Sequence, residues 1–347
     1  MSDLQLLERA QAGDGGAFQL LVEPHRGALY AHAYRMLGST ADAEDAVQET
    51  LLSAWRGLAR FEGRSSLRSW LYRIATNSSL KLIERRPKRV LPIDYGPPAE
   101  PGTPRGEPLA ESVWVEPAAD GSLGLESGVA SPAARYEQRE SVELAFIAAL
   151  QHLPPRQRAV LILREVLGFS AREAADALAA TPASIDSALQ RAHQTVDTRL
   201  PGRDQQATLR SVGDSTLRRI VGGFVDAWEH DDVEALAALL TDEAAFAMPP
   251  HPTWFRGREA VAEFLRTGPL APGNRWRLVP IRANGQIAFA HYAWDEERGA
   301  FVAHGIDVLT LEGDRIAEIT AFLDPDLFAR FGLADELAED TAAGGQP

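Results

Sequence analysis

The residues best suited to binding chemistry lie between Arg60 and Arg89. This stretch holds nine basic and two acidic side chains, a net of +7, although the whole chain carries −14. Trp70 and Tyr72 stand among the cations. Cationic side chains neutralise phosphates and aromatic rings stack on unpaired bases, which single-stranded nucleic-acid binding requires. The stretch therefore predicts a nucleic-acid-binding helix, with core packing as the alternative role for Trp70.

An acidic amphipathic segment comes directly before it. Apolar residues from Ala43 to Leu58 recur at steps of three and four, which predicts a helix with one buried face. Acidic residues crowd its first turns, between Asp42 and Glu49. They predict a protein-docking surface. A solvated face is the alternative, because acids are also stabilised near a helix N-terminus by the helix dipole.

A second segment whose pattern predicts nucleic-acid binding lies near residue 180. Ser170-Ala-Arg-Glu173 has the form of a capping box, and Thr181-Pro182 is a cap followed by a proline at the first helical position. Two capped helices with a short turn predict a helix-turn-helix. The apolar stripe of its second helix leaves outward side chains of the types that contact bases and phosphates in the major groove, namely Ser184, Ser187, Gln190 and Arg191. A helical hairpin that binds no DNA is the alternative.

Composition limits the remaining chemistry. The chain has no cysteine, which excludes disulfides and thiolate metal sites. No apolar run approaches the ~18 residues of a membrane span, and the N-terminus lacks the basic and apolar blocks of an export signal. No pair of residues has a spacing diagnostic of a nucleophile or a metal site. We therefore expect a cytoplasmic protein without membrane association, catalytic residues, metal or cofactor.

Composition also divides the chain into domains. Residues 92–132 are rich in Pro, Gly and acids without a sustained period, which predicts an acidic flexible linker. Its apolar island, Val113 to Val115, is either a docking peptide or a segment that covers a neighbouring domain. Residues 213–335 show helical patterns followed by four strand patterns, which predict an α+β cone. Residues 336–347 are predicted to be a disordered tail.

Together these stretches resemble the extracytoplasmic-function (ECF) sigma factors of bacterial RNA polymerase. DAEDAVQETLLSAW resembles their polymerase-docking helix, SLRSWLYRIATNSSLKLIERR their −10-reading helix, and LPPRQRAVLILREVLGFSAREAADALAATPASIDSALQRA their region four. VGGFVDAWEHDDVEALAALLTDEAAFAMPP and DRIAEITAFLDPDLFARFGL resemble a SnoaL-like domain. The resemblance implies a multidomain protein with sigma region 2 at 1–91, a helix-turn-helix region 4 at 133–201, both all-α, and a SnoaL-like domain at 213–335.

The resemblance also assigns roles to residues. It implies that core polymerase is the partner, at its clamp and flap, and that Asp45, Gln48 and Glu49 contact the polymerase. It implies that the melted −10 DNA is bound by Arg64, Ser65, Trp70, Arg73 and Asn77. Ser184, Ser187, Gln190 and Arg191 would meet double-stranded −35 DNA.

Two classes of function remain open for the C-terminal domain. In the first, the domain modulates the sigma factor, because its net charge of −12 from Val212 onward complements the +7 stretch and predicts an intramolecular contact. In the alternative, the chain is a DNA-binding regulator whose C-terminal domain is a small-molecule sensor or a SnoaL-like isomerase or cyclase. His304 and Asp307 are a poor catalytic pair on the sequence alone, because strand residues three apart face opposite sides.

Overall fold

The computed structural model describes residues 2–110, 113–125, 139, 141–199 and 205–339. The chain divides into two compact units. We call Met1–Arg89 with Gly121–Leu200 the helical unit, and Val90–Asp120 with Pro201–Pro347 the C-terminal unit. Within the described ranges, no helix has the length and apolar character needed to cross a membrane.

Eight helices build the described part of the helical unit. Hydroxyl caps set several of their starts, since Ser39, Ser66, Ser170 and Thr181 each accept a hydrogen bond from a backbone N–H of the first turn. The helices are α1 (Asp3–Gln11), α2 (Gly15–Leu37), α3 (Thr40–Leu58), α4 (Leu67–Ile83), α5 (Leu144–Gln151), α6 (Pro155–Leu161), α7 (Ala171–Leu178) and α8 (Pro182–Asp197). A π-helical segment, Ile162–Val166, follows α6 directly. Ser131-Pro132 has the form of a cap followed by a proline at the first helical position, which predicts another helix start, but it lies outside the described residues.

A buried histidine joins α2 to α4. The Thr76 hydroxyl donates to the carbonyl oxygen of Tyr72 over 2.7 Å, so its oxygen accepts from His32 Nε2, 2.9 Å away. Nδ1 is buried and has no hydrogen-bond partner among the described residues. Burial, and secondarily the nearby Arg35 cation, lowers the pKa of His32 to about 3. The imidazole is therefore neutral at pH 7.

This histidine predicts acid lability. The unfolded chain binds a proton at the ordinary pKa of about 6.5, so the unfolded state holds more protons between pH 6.5 and 3, and stability falls as the pH falls through that window. At pH 5 the expected loss is about 2 kcal/mol. His32→Gln keeps a donor for Thr76 but cannot titrate. Urea unfolding followed by circular dichroism at pH 7 and pH 5 should show a loss about 2 kcal/mol larger in the wild type than in H32Q, which keeps the contribution of other histidines with a lowered pKa, such as His304; equal losses would contradict it.

The C-terminal unit is an α+β domain, as the sequence predicts. Besides a four-residue helix, Pro92–Tyr95, its helices are α9 (Gln205–Val212), α10 (Asp214–Glu229), α11 (Val233–Leu239), α12 (Arg258–Thr267) and α13 (Leu327–Arg330). Its strands are β1 (Leu240–Ala247), β2 (Trp254–Arg256), β3 (Trp276–Ala283), β4 (Gln286–Asp295), β5 (Ala300–Glu312), β6 (Arg315–Phe322) and β7 (Glu336–Leu337). The four predicted strands are β3 to β6, and they form an antiparallel meander.

One sheet holds all seven strands. Its order is β2-β1-β6-β5-β4-β3, and β7 pairs with β5. The sequence patterns did not predict β1, which runs parallel to β6. Side chains of α10, α11 and α12 pack against the sheet, with Phe224 stacked 4.6 Å from Phe289. The fold is therefore a helix layer on a mixed sheet.

The predicted flexible linker differs from the structure over residues 92–110 and 113–120, which lie on the C-terminal domain. Trp114 forms a parallel bridge with Val90, and its Nε1 donates to the carbonyl oxygen of Pro250 over 3.1 Å. Ala118 N donates to Asn284 Oδ1 over 2.9 Å. The segment is ordered without much secondary structure of its own because the domain supplies partners for its backbone groups. Of the two interpretations of the Val113–Val115 island, the structure supports the covering segment.

The predicted disordered tail needs one correction, and parts of the tail and of the predicted linker lie outside the described residues. Glu336 and Leu337 pair with Val302 and Phe301, so the predicted tail begins as a strand. Residues 340–347 of that tail, and residues 126–132 of the predicted linker, lie outside the described residues.

Candidate nucleic-acid interface

The predicted polymerase-binding residues share one exposed face of α3. Asp45, Gln48 and Glu49 are exposed, while Ala46 and Val47 between them are buried. Glu49 Oε1 accepts a hydrogen bond from the Ser53 hydroxyl over 3.1 Å. The helical period thus separates an acidic outer face from the core, as the sequence predicts, and leaves these three side chains free of protein cover.

Asp42, one turn earlier, has a different role. Its side chain is 3% exposed, and its carboxylate oxygens lie 2.9 Å from Arg86 Nη1 and 2.8 Å from Arg89 Nη2. Arg89 is itself buried, with 5% of its side chain exposed. Asp42 therefore anchors the C-terminal end of the basic stretch to α3, and two of the nine counted cations serve the fold.

Most of the predicted −10 residues are exposed. Arg64 keeps 86% of its side chain in solvent and pairs with Glu62 at 2.5 Å. Ser65 lies beside it in the loop before α4. Arg73 and Asn77 are exposed four residues apart, so they lie on one face of α4. Together they form a polar strip running from the loop along the helix.

Trp70 does not belong to that strip. It is buried, with 7% exposed, and its ring lies 4.9 Å from that of Phe61. Gly57 makes room for it, because a Cβ at that position would lie 3.3 Å from the indole. Trp70 packs under the loop that carries Arg64 and Ser65, and the core-packing interpretation is the one that the structure supports.

Tyr72 is buried as well, because the helix-turn-helix part packs on α4. Its ring lies 5.7 Å from Phe169, edge to face, and the Arg68 guanidinium lies 5.1 Å from the centroids of both rings. Arg68 Nη2 also donates to the carbonyl oxygen of Leu167 over 3.1 Å. An aromatic and a cation of the basic stretch are therefore engaged within the protein.

Two buried arginines strengthen the same contact. Arg35 on α2 donates to the carbonyl oxygen and hydroxyl of Ser141, over 3.0 and 2.8 Å. Arg158 on α6 donates to the carbonyl oxygen of Met36 and to Gln151. Burial lowers the pKa of each guanidinium to about 10, so both stay charged at pH 7. The sequence patterns did not predict them, since a buried arginine and an exposed one look alike in the sequence.

The helix-turn-helix forms as the sequence predicts. α7 ends at Ala179, whose φ of 49° turns the chain, and Thr181 caps α8. Ile185, Ala192 and Val196 are buried. All four predicted reading residues are exposed: Ser184, Ser187, Gln190 and Arg191. The Ser184 hydroxyl donates to the carbonyl oxygen of Thr181 over 2.8 Å, so it is partly committed to the cap.

Comparisons with known proteins agree with this arrangement. Residues 21–89 match the family profile of Sigma-70 region 2, residues 143–196 that of Sigma-70 region 4, and residues 221–319 that of the SnoaL-like domain. The chain is 40% identical over 326 residues to the ECF RNA polymerase sigma factor SigG of Mycobacterium tuberculosis, covering 93% of this chain and 85% of that one. The chain belongs to the ECF sigma factors.

Other relatives cover the sigma regions or the whole fold. The RNA polymerase sigma-H factor of Pseudomonas aeruginosa is 31% identical over 195 residues, which are 56% of this sigma factor and 92% of that protein. The crystal structure of the ECF sigma factor SigJ of Mycobacterium tuberculosis has a TM-score of 0.54 and 22% identity, covering 90% of this chain and 98% of that one. The SigJ likeness supports the fold.

The C-terminal unit of this sigma factor also contains a cavity of about 310 Å³. Its walls are largely aromatic and apolar, and β4 and β5 supply His291, His304 and Asp307 to it. The lining includes Arg105, Trp228, Met248, Phe264, Trp276, His291, His304, Asp307 and Leu323. His291 Nε2 lies 2.9 Å from Asp307 Oδ2, and both side chains are almost fully buried. Burial, and secondarily His291, lowers the pKa of His304 to about 4, so His304 is neutral at pH 7.

The sequence argument against pairing His304 with Asp307 was wrong. His291 pairs with Gly305 and Tyr292 with Ala303, so His304 is the extra residue of a β-bulge. A bulge shifts the alternation of side chains, which brings His304 and Asp307 to the same cavity. Gly305 is required there, because a Cβ would lie 2.7 Å from the carbonyl oxygen of Phe322. His291 is the residue by which the sequence could have indicated this site, but no rule of residue spacing connects it to Asp307.

Proposed function

We propose that the exposed face of α8 reads −35 DNA and that the acidic face of α3 docks this sigma factor on core polymerase. The observation that carries the proposal is the exposure of Gln190 and Arg191 on a capped helix whose opposite stripe is buried. Arginine pairs with guanine and glutamine with adenine through two hydrogen bonds each. Asp45, Gln48 and Glu49 give the polymerase contact its acidic partner.

The melted −10 strand would be held by Arg64, Ser65, Arg73 and Asn77. Cations and amides on an exposed strip suit a displaced single strand, because phosphates meet charge and a flipped base meets the loop. Trp70 serves by packing against Phe61 below that loop. Its role is to position Arg64 and Ser65, and its ring is not offered to a base.

Promoter binding requires the helical unit to open. α4 and α7 are in contact, with Arg68 bonded to Leu167. The −10 and −35 elements lie about 25 base pairs apart, roughly 85 Å along B-DNA at 3.4 Å per pair. One protein cannot read both elements while these two helices touch. Arg35 and Arg158, buried between α2 and the chain after residue 140, also suit opening, because charged groups gain hydration when exposed.

Opening can be measured because the chain has no cysteine. Cysteines introduced at Leu20 on α2 and Arg156 on α6, both exposed and outside α3 and α8, can carry a fluorescence donor and acceptor. Core polymerase should lower the energy transfer, with a distance increase of tens of ångströms. Unchanged transfer in a complex that binds polymerase would contradict the opening.

The function itself is tested by transcription. The purified chain with core polymerase should give a transcript from a promoter selected in vitro, and none from a template without that promoter. Failure to bind core polymerase, or equal transcription from both templates, would reject the assignment. The same assay on a chain that ends near Arg210 tests the proposed modulation: activity should change when residues 213–347 are removed, through loss of an intramolecular contact with the sigma regions.

We further propose that this sigma factor acts by binding energy and not as an enzyme, and that it works in the cytoplasm with polymerase. The alternative, a C-terminal domain that turns over a substrate, is favoured by one observation, the His291–Asp307 pair in a cavity. Histidine and carboxylate pairs in apolar pockets serve acid–base catalysis in other proteins.

A further inference from the structure

The cavity in the C-terminal unit has the features of a small-molecule site. Its volume of about 310 Å³ falls at the lower end of the ~300–1,000 Å³ typical of ligand pockets. Aromatic groups form much of its wall: Trp228 packs edge-on to His291 at 4.6 Å, and Trp276 to His304 at 5.1 Å. A molecule with a small ring fits between such walls.

Its polar end holds buried groups with unused hydrogen-bonding capacity. His291 Nε2 and Asp307 Oδ2 lie 2.9 Å apart but are poorly aligned, so neither atom has a hydrogen-bond partner among the described residues. Their residues are only 3% and 2% exposed. Buried polar atoms without partners are costly, and a ligand that supplies the partner recovers that cost. A hydroxyl group fits both, since it can donate to the carboxylate and accept from the imidazole.

The covering segment completes the cavity. Arg105 lines it, and its carbonyl oxygen accepts from the Thr253 hydroxyl over 2.6 Å. The next carbonyl oxygen, that of Gly106, lies 2.9 Å from His251 Nδ1. The segment 90–120 connects the two parts of the helical unit in the chain. A molecule in the cavity therefore contacts this segment. Whether the segment stays on the C-terminal domain decides how much chain is free to connect the two sigma regions.

We propose that this cavity binds a small hydroxylated aromatic molecule, with its hydroxyl at the His291–Asp307 pair and Arg105 over its other side, and that binding holds the segment 90–120 on the C-terminal domain. The hydroxyl satisfies two buried atoms, and the ring fills the apolar volume. The inference goes beyond the proposed promoter function, because binding can be measured without polymerase or DNA.

The hydroxyl requirement is tested with a matched pair of probes, 4-ethylphenol and ethylbenzene, titrated calorimetrically into the full chain. The phenol should bind at least tenfold more tightly, the worth of about one hydrogen bond to a charged acceptor. Equal affinities for the two probes, or no binding of either at about 1 mM, would overturn the proposal.

Two variants locate the binding site. Ala321→Leu adds bulk to the cavity wall and should abolish phenol binding, whereas Ala329→Leu, on the exposed face of α13, should leave it unchanged. Asp307→Ala should remove most of the preference for the phenol, and circular dichroism reports whether it folds. Phenol binding that persists in folded A321L would place the probe elsewhere and reject the site.

Limited trypsin digestion measures whether ligand binding holds the segment 90–120 on the C-terminal domain. Cleavage after Arg105 requires the segment to leave Thr253, while cleavage after the exposed Arg64 in the helical unit serves as the internal control. At a phenol concentration ten times its Kd, cleavage after Arg105 should slow about tenfold and cleavage after Arg64 should not change. Bound phenol with unaltered cleavage at both sites would refute the coupling.

Discussion

Asp42→Asn is expected to destabilise the helical unit by about 3–5 kcal/mol. The carboxylate is 3% exposed and lies within 2.9 Å of Arg86 and Arg89. Removing its charge takes away a carboxylate that the buried Arg89 guanidinium contacts, and loss of one partner of a buried pair costs far more than loss of an exposed one. Urea unfolding followed by circular dichroism measures the change, and a loss below about 1 kcal/mol would contradict the role given to Asp42.

Asp45→Asn is the matched control on the same helix. Its side chain is 61% exposed and 4.0 Å from Arg86, so stability should change by less than about 0.5 kcal/mol. The same substitution should weaken binding to core polymerase, because Asp45 belongs to the exposed acidic face. If D45N is stable and binds polymerase like the wild type, Asp45 does not contribute to docking. That result would count against the docking face proposed for Asp45, Gln48 and Glu49.

The double variant Gln190→Ala with Arg191→Ala should lower −35-dependent promoter binding about 100-fold. Both side chains are exposed on α8, and each base contact contributes roughly 1–3 kcal/mol of discrimination. The fold should survive, because the buried stripe of Ile185, Ala192 and Val196 is untouched. Filter binding or run-off transcription at fixed salt measures the loss, since phosphate contacts make affinity depend on salt.

Specific readout is separated from loss of charge by two comparisons. Arg156→Ala, an exposed arginine of α6 outside the reading helix, should cost little. Changing the −35 bases should weaken the wild type strongly and the double variant hardly at all, because the contacts that sense those bases are already gone. If the double variant remains as sensitive to −35 sequence as the wild type, another surface reads the element.

The sequence determined the elements whose cause is local. Caps at Ser170 and Thr181 fix where α7 and α8 begin, and the helical period then leaves Ser187, Gln190 and Arg191 outward whatever surrounds them. The strands β3 to β6 and the acidic face of α3 follow for the same reason. Hydrogen bonding and periodicity act over a few residues, so a short window of sequence carries them.

The tertiary structure decided which polar and aromatic residues are buried. Asp42 and Asp45 look alike in sequence, yet only Asp42 meets Arg89, 47 residues further along. Trp70 is buried by Phe61, and the covering segment is ordered by partners such as Pro250, 136 residues beyond Trp114. A β-bulge brings His304 to the cavity of His291 and Asp307. Each outcome depends on a contact between separate elements, and such a contact is settled only when the chain has folded.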